Sequence, residues 1–166
     1  MKRTFDMMVE CPRKSRNKIE WDDKAKGFRF SRMLFTSTQY PAEYGFIPNS
    51  LASDGDPADI MALTGEPTFT GCIIEVRVIG ILRMIDGGVE DYKMLAVPVR
   101  DPHYSHIRTL KDVPLDRLNE IEHFFKVYKD LEQKKVVVKG WQGRKKALSY
   151  LKKAFKRYET ETHPSH

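Results

Sequence analysis

Cysteine is scarce in this sequence. The 166 residues include two cysteines, Cys11 and Cys72, which lie far apart and lack the short spacing of a metal-binding motif. A chain with so little cysteine fits a reducing compartment most simply. We therefore expect a cytoplasmic protein.

The sequence also lacks a long hydrophobic run. Its most apolar stretch, residues 72–85, is interrupted by Glu75, Arg77 and Arg83, so it is too short and too charged to span a membrane. Residues 1–15 carry charge but no apolar signal-peptide segment. Repeats, low-complexity segments and linkers are absent as well. We expect no membrane association, one domain over residues 1–162, and a frayed tail at residues 163–166.

Acidic residues are fewer than basic ones, which leaves a formal net charge of +6. Such a charge suggests nucleic-acid binding, and an OB-type nucleic-acid-binding module is an alternative interpretation of a strand-rich chain. However, seven basic residues lie between Arg144 and Arg157, on the polar side of a predicted helix, which favours a solvated helix face. The aromatic segment 40–46 also leads into three aspartates that would repel a phosphate backbone. We therefore expect no nucleic-acid partner.

Hydrophobic patterns and turn signals predict many short strands followed by two helices. The expected strands are residues 5–11, 17–21, 60–63, 71–85, 91–99 and 134–141, with a hairpin around Gly27 that includes Phe28, Phe30 and Arg32. Residues 40–45 are predicted to be a turn-rich aromatic segment. Helices are expected over residues 115–132 and 144–160, with the apolar stripes Leu115, Leu118, Ile121, Phe125, Tyr128 and Leu148, Leu151, Phe155, Tyr158. The predicted class is α+β, mainly β: a small β-barrel with two C-terminal helices packed on it.

Three carboxylates fall within six residues at Asp54, Asp56 and Asp59. The glycine and proline between them predict a tight loop. Like charges this close repel one another, whereas a hard divalent cation such as Mg²⁺ would be bound by their oxygens. An EF-hand is excluded, because counting from Asp54 places Asp59 and Gly65 where that loop needs glycine and glutamate. A solvated acidic turn is the alternative interpretation.

A second group of charges surrounds the predicted hairpin turn at residues 86–89. The turn brings Asp86 close to Asp91, and Lys93 lies two residues farther on the same face of its strand. An ordinary cross-strand charge pair would explain this group taken alone. Carboxylates and cations together, however, are typical of metal-dependent hydrolysis of a phosphate compound, in which carboxylates hold metal ions and Lys, Arg and Tyr hold phosphate oxygens.

Six short motifs follow one another in a fixed order between about residues 9 and 141. Residues 54–59 read D-G-D-P-x-D, residues 18–20 read K-x-E, and Glu10 lies in the strand before them. Arg32 precedes residues 40–45, which resemble Y-P-x-N-Y-G. Asp86 with residues 90–93 resembles a D…x-D-x-K hairpin, and residues 123–132 resemble H-F-F…Y-K-D-L-E. In this order the motifs resemble those of the family I soluble inorganic pyrophosphatases, and the resemblance implies a five-stranded, OB-like β-barrel and hydrolysis of inorganic diphosphate to two phosphates by in-line attack of metal-activated water.

The resemblance also implies roles for individual residues. The metal ligands it implies are Asp54, Asp59, Asp91, Asp86 and Glu20, with Mg²⁺ as the ion and Mn²⁺ or Zn²⁺ as substitutes. Asp56 would accept the proton of the attacking water. The substrate-binding residues it implies are Lys18, Arg32, Tyr44, Lys93, Tyr128 and Lys129, supported by Glu10 and Tyr40. Short prokaryotic members are commonly hexamers, so a homo-oligomer is expected.

The sequence departs from the family pattern at a few positions. Glu43 replaces the usual asparagine between the two tyrosines, which adds an acid that we expect near the site, and Gly87 and Val89 leave the hairpin turn without an extra acid. Ile19 and Ala58 replace larger or aromatic residues. These departures affect the expected metal preference more than the expected activity. A relative that has lost its activity is a third interpretation of the sequence.

Overall fold

The computed structural model of the protein describes residues 4–162, so the predicted tail at residues 163–166 lies outside the described residues. The strands are β1 (Phe5–Cys11), β2 (Asn17–Asp22), β3 (Gly27–Met33), β4 (Glu43–Phe46), β5 (Asp59–Ala62), β6 (Ile73–Asp86), β7 (Val89–Glu90), β8 (Lys93–Pro98) and β9 (Val136–Gly143). The helices are α1 (Leu115–Val127) and α2 (Arg144–Thr162), with short 3₁₀ turns at Leu110–Asp112 and Asp130–Glu132.

Five strands close into a ring. β1 pairs with β4 and β4 with β5, both antiparallel; β5 runs parallel to β8; β8 pairs with β6, and β6 returns to β1. Closure leaves none of these strands as a free sheet edge. The predicted mainly-β, OB-like five-stranded barrel is therefore confirmed, with α1 and α2 packed against it.

The other strands extend this ring. The long strand β6 continues past the ring to pair with β7 and β9, whereas β2 and β3 form a separate two-stranded hairpin. The turn from β6 to β7 uses Gly87 and Gly88 at φ of 58° and 82°, as the sequence predicts for a tight hairpin. Most strand boundaries agree with the predictions to within two residues.

Two apolar clusters cover the two faces of the central strands. Along β8, Leu95 and Val97 belong to the cluster that packs against α1, while Met94 and Ala96 belong to the cluster that packs against α2. The alternation follows from the period of two in a strand. It explains why every residue of β8 is buried, although its sequence does not alternate between apolar and polar residues.

Strand β4 and the end of α1 differ from the predictions. The turn-rich segment predicted over residues 40–45 contains β4, which is fully buried but too short to show a period of two. The helix predicted over residues 115–132 ends at Val127, because the backbone at Lys129 leaves the helical region (φ −106°, ψ 5°) and a 3₁₀ turn follows. The predicted stripe was wrong for Leu115, which is 69% exposed in the first turn of α1.

Helix α2 presents its basic residues to solvent, as predicted. Its five lysines between residues 144 and 157 are exposed, while Arg144 and Arg157 donate to the carbonyl oxygens of Val78 and Leu51. Leu151 is fully buried with two alanines, whereas Leu148, Phe155 and Tyr158 are only partly buried. Within residues 4–162, no helix is long and apolar enough to cross a membrane.

The backbones of β1 and β4 lie close together at Gly45. A Cβ atom at this position would lie 1.8 Å from the carbonyl oxygen of Met8 in β1, so the backbones themselves would have to separate. We expect Gly45→Ala to lower the free energy of unfolding by about 3 kcal/mol. Urea denaturation would measure the change, with Gly143→Ala as the control, because a Cβ there meets nothing within 4 Å. Equal stability of Gly45→Ala and the wild-type protein would contradict this close approach.

Candidate functional site

The acidic loop at residues 51–58 is held by its own hydrogen bonds. The backbone N–H of Asp56 donates to the Asp54 carboxylate at 3.0 Å, and that of Ala58 donates to Ser50 Oγ at 3.0 Å. Gly55 adopts φ of 92°, in the left-handed region that favours glycine. Asp54 and Asp56 are exposed, so the loop presents two carboxylates to solvent next to the start of β5.

A buried lysine lies where β4, β5 and β8 meet. Lys93 is 3% exposed, and its Nζ donates to Asp59 at 2.6 Å, to Asp91 at 2.7 Å and to the Tyr44 hydroxyl at 2.9 Å. The parallel register of β5 and β8 makes Asp59 and Lys93 neighbours. We call these four residues the Lys93 cluster. Burial alone would lower the pKa of Lys93, but Asp59 and Asp91 raise it well above its usual value, so the amine is an ammonium.

The predicted convergence of Asp86, Asp91 and Lys93 is partly right. Lys93 binds Asp91 across one intervening residue, as expected from the period of two. Asp86 instead binds Lys129, which follows α1 and lies 43 residues away in the sequence. The hairpin pattern could not reveal this partner, because it reaches Asp86 from another part of the fold.

The three predicted site tyrosines, Tyr40, Tyr44 and Tyr128, belong to a group of packed aromatic rings beside these ion pairs. Tyr40 packs on Tyr44 at 5.3 Å between ring centroids and on Phe124 at 5.0 Å, and Tyr128 stacks on Phe124 at 5.1 Å. The Nζ atom of Lys129 lies 5.4 Å from the centre of the Tyr128 ring. Burial raises the pKa values of all three tyrosines above their usual value, so their hydroxyls stay protonated and can donate hydrogen bonds.

The hairpin of β2 and β3 carries three further predicted residues. Lys18 faces Arg32 across the hairpin and binds the Glu20 carboxylate at 3.0 Å. Burial raises the pKa of Glu20, but Lys18 and Arg32 outweigh this effect and lower it. Arg32 pairs with Glu132, with Nε 2.7 Å from Oε1 and Nη2 donating to Oε2 at 3.1 Å. Glu132 lies in the segment that resembles Y-K-D-L-E, so the sequence motif could have indicated it as a site residue. No role was predicted for it.

Electrostatics connect the acidic loop with the other groups. Partial loss of solvent around the carboxyl group, although Asp56 is exposed as a whole, is the main cause that raises its pKa, followed by the charges of Asp54, Glu20 and Asp91. Within residues 4–162, no group donates a hydrogen bond to the Asp56 carboxylate. Asp56 is therefore a carboxylate of increased basicity that is free to accept a proton. Tyr150 of α2 was not predicted, yet after burial the charges of Asp59 and Asp54 raise its pKa.

The donor set fits a hard divalent cation by its chemistry. Its predicted members are all carboxylates, and the pKa of Asp56 responds to the charges of Asp54, Glu20 and Asp91. In the part of the chain that the structure describes, no three acidic, histidine or cysteine side chains are already arranged around a common point as metal ligands. Lys93 lies between Asp59 and Asp91 in this arrangement.

Glu43 does not add its charge to this group of carboxylates in the way the sequence suggested. Its side chain is fully buried and accepts hydrogen bonds from the backbone N–H of Thr68 at 2.9 Å, from Thr68 Oγ1 at 2.8 Å and from Thr64 Oγ1 at 3.3 Å. Adjacent residues of a strand point to opposite faces, so Glu43 and Tyr44 point apart. Glu43 therefore stabilises the loop after β5 by accepting hydrogen bonds from Thr64 and Thr68.

Glu10 supports the hairpin from β1. It is 8% exposed, and its carboxylate accepts a hydrogen bond from the backbone N–H of Trp21 at 2.7 Å. Burial raises the pKa of Glu10 from 4.5 to about 7, against the lowering effect of the Trp21 hydrogen bond. Ionised Glu10 thus opposes folding.

We expect Glu10→Gln to remove a pH-dependent cost. The unfolded chain releases the Glu10 proton near pH 4.5 and the folded chain near pH 7, so the stability cost of Glu10 grows between these values and is constant above them. Relative to wild type, Glu10→Gln should therefore gain about 3 kcal/mol between roughly pH 5 and roughly pH 8. Urea denaturation in EDTA at both pH values measures this gain. A stability difference that does not change with pH would contradict the raised pKa.

Comparisons with known proteins agree with this geometry. The family model described as inorganic pyrophosphatase matches residues 7–159. An inorganic pyrophosphatase from Halalkalibacterium halodurans is 45% identical over 157 residues, which cover 95% of this chain and 96% of that protein. One from Methanosarcina acetivorans is 49% identical over 152 residues, which cover 92% and 90% of the two chains.

A solved structure extends the likeness to the fold. The crystal structure of inorganic pyrophosphatase from Thermus thermophilus matches with a TM-score of 0.92 and 40% identity, covering 95% of this chain and 92% of that one. Relatives of this identity match nearly the whole length of the chain, so the predicted resemblance to this family is confirmed. The chain belongs to the inorganic pyrophosphatase family.

Proposed function

We propose that this protein is a hydrolase that converts inorganic diphosphate to two phosphates. The observation that carries the proposal is the Lys93 cluster, in which a buried ammonium and two carboxylates meet beside the free carboxylates of the acidic loop. A phosphate-binding module would need the cations alone, and a calcium site the carboxylates alone. Cations and acids together suit a reaction in which a highly charged phosphate compound is bound with metal ions.

The cations and hydroxyls hold the substrate in this proposal. Lys93 comes from β8, Tyr128 and Lys129 come from the segment after α1, and Lys18 and Arg32 come from the β2–β3 hairpin. Tyr44 lies within hydrogen-bond distance of Lys93. The two ends of diphosphate each carry negative oxygens, so donors from several elements can fix its orientation. Tyr40 supports Tyr44 by packing between it and Phe124, and Glu10 supports the hairpin.

The carboxylates divide into metal ligands and a base. Asp54, Asp59 and Asp91 would hold the first metal ions, and Asp86 and Glu20 would complete the set when substrate binds. Bound Mg²⁺, or Mn²⁺ or Zn²⁺ in its place, would supply a lowered pKa of water and would neutralise negative charge on the substrate. Asp56 accepts a proton from the water whose oxygen attacks one phosphorus. The bond from that phosphorus to the bridging oxygen breaks, and the second phosphate leaves with the bonding electrons.

The proposal also includes the location, the oligomeric state and the partners of the protein. We expect a cytoplasmic homo-oligomer, a hexamer by analogy with short members of the family, built from the single domain predicted over residues 1–162. Exposed apolar side chains on and after β3, among them Phe30 at 61% and Phe35 at 57%, support a contact with another subunit. We expect no nucleic-acid partner, because the acidic loop would repel a phosphate backbone.

The direct test is phosphate release from diphosphate by the purified protein. We expect rapid release with Mg²⁺ and none when EDTA replaces the metal, because the carboxylates alone repel the substrate. A folded protein that releases no phosphate with Mg²⁺, Mn²⁺ or Zn²⁺ would contradict the proposed reaction.

A single substitution tests Asp56 as the proton acceptor. Asp56→Asn keeps the size of the side chain but cannot take the proton, so we expect turnover to fall by roughly 100-fold or more. Circular dichroism checks that the fold is retained. Asp116→Asn, an exposed aspartate of α1 outside the site, is the matched control and should keep wild-type turnover. Near-normal turnover of Asp56→Asn at neutral pH would remove Asp56 from this role.

A further inference from the structure

Three lysines of the site share one arrangement. Lys18, Lys93 and Lys129 are the lysines that the proposed function assigns to diphosphate, and each is bound to a carboxylate that it assigns to metal. Lys18 binds Glu20 at 3.0 Å, Lys93 binds Asp59 and Asp91 at 2.6 and 2.7 Å, and Lys129 binds Asp86. The lysines proposed to bind substrate are thus bound to the carboxylates proposed to bind metal.

Charge explains why these pairs form. Two carboxylates of the Lys93 cluster lie within 2.7 Å of the same nitrogen, and without it they would repel one another in a partly buried position. An ammonium has three N–H donors, and Lys93 uses all of them on Asp59, Asp91 and Tyr44. Lys93 therefore offsets half of the charge of this pair of carboxylates, whereas a divalent cation would offset all of it.

We propose that Lys93 is an internal counter-ion that exchanges with the metal. A divalent cation beside the two carboxylates would repel the ammonium that is bound to them. Lys93 would then leave Asp59 and Asp91 and turn, with the freed Tyr44 hydroxyl, towards the diphosphate oxygens. This inference rests on the proposed function, and it makes metal binding a requirement for Lys93 to become a substrate ligand.

Lys93 is the most deeply buried of the three lysines, so its ion pairs should affect metal binding most. Its side chain is 4% exposed, compared with 14% for Lys129 and 18% for Lys18, and the partner of Lys18 is 51% exposed. Water screens an exposed ion pair and solvates both charges when the pair opens. The charges of a buried pair are not solvated in this way. The Lys93 exchange should therefore control the affinity of the site for metal.

The first experiment uses the wild-type protein. Reductive methylation labels free lysine amines, and mass spectrometry of the peptides reports each site. We expect Lys93 to be protected in EDTA and labelled several-fold faster with Mg²⁺, because the amine leaves its carboxylate partners. Lys126 of α1, which is 53% exposed, is the internal control and should be labelled equally in both conditions. Equal labelling of Lys93 in both conditions would overturn the exchange.

The second experiment removes the internal cation. Lys93→Met keeps the length of the side chain without its charge, so Mg²⁺ no longer competes with an ammonium and should bind about tenfold more tightly or better by calorimetry. Lys26→Met, which opens an exposed pair with Asp23 away from the Lys93 cluster, is the matched control and should leave the affinity unchanged. Wild-type or weaker affinity of Lys93→Met would overturn the proposal.

The outcomes separate this inference from the proposed function. If the wild-type protein releases phosphate from diphosphate but neither Lys93 labelling nor metal affinity changes as expected, the exchange alone is wrong. If Lys93→Met does not fold, the labelling of the wild-type protein still decides. An absence of phosphate release with every metal tested, together with metal-dependent Lys93 labelling, would contradict the reaction and leave the exchange standing.

Discussion

The contact between Lys93 and its two aspartates is the interaction on which the rest of the site depends. It joins three strands of the ring, because Tyr44 belongs to β4, Asp59 begins β5 and Lys93 begins β8. Two adjacent, partly buried carboxylates would otherwise oppose folding, because each would keep its charge without a partner. The ring can therefore bring acidic side chains together at one end of its strands because it also supplies a buried cation there.

The barrel places these groups through its register. β5 and β8 run parallel, so residues at their starts lie side by side, and the period of two directs Asp59 and Lys93 to the same face as Tyr44. The opposite face of the same strands packs against α2, which gives the site a rigid support. The β2–β3 hairpin and the segment after α1 then add Lys18, Arg32 and Lys129 from outside the ring.

The sequence predicted what depends on neighbours along the chain. The acidic loop, the glycine turn at residues 86–89 and the pairing of Asp91 with Lys93 follow from local geometry, and the structure has all three. The pairs of Asp86 with Lys129 and of Arg32 with Glu132 could not be predicted, because they join residues 43 and 100 positions apart. The buried strand β4 and the early end of α1 were also missed, since burial and packing outweigh the local pattern in both segments.

The parallel pairing of β5 with β8 ties the proposed metal site to the completed fold. The strands are separated in the sequence by β6 and β7, so Asp59 and Asp91 become neighbours only when the ring has closed. A chain in which β5 and β8 are not yet paired keeps the acidic loop apart from Asp91 and lacks this pair of carboxylates. The proposed ion and the closed ring would therefore stabilise each other, because a cation that binds both carboxylates binds only the folded chain.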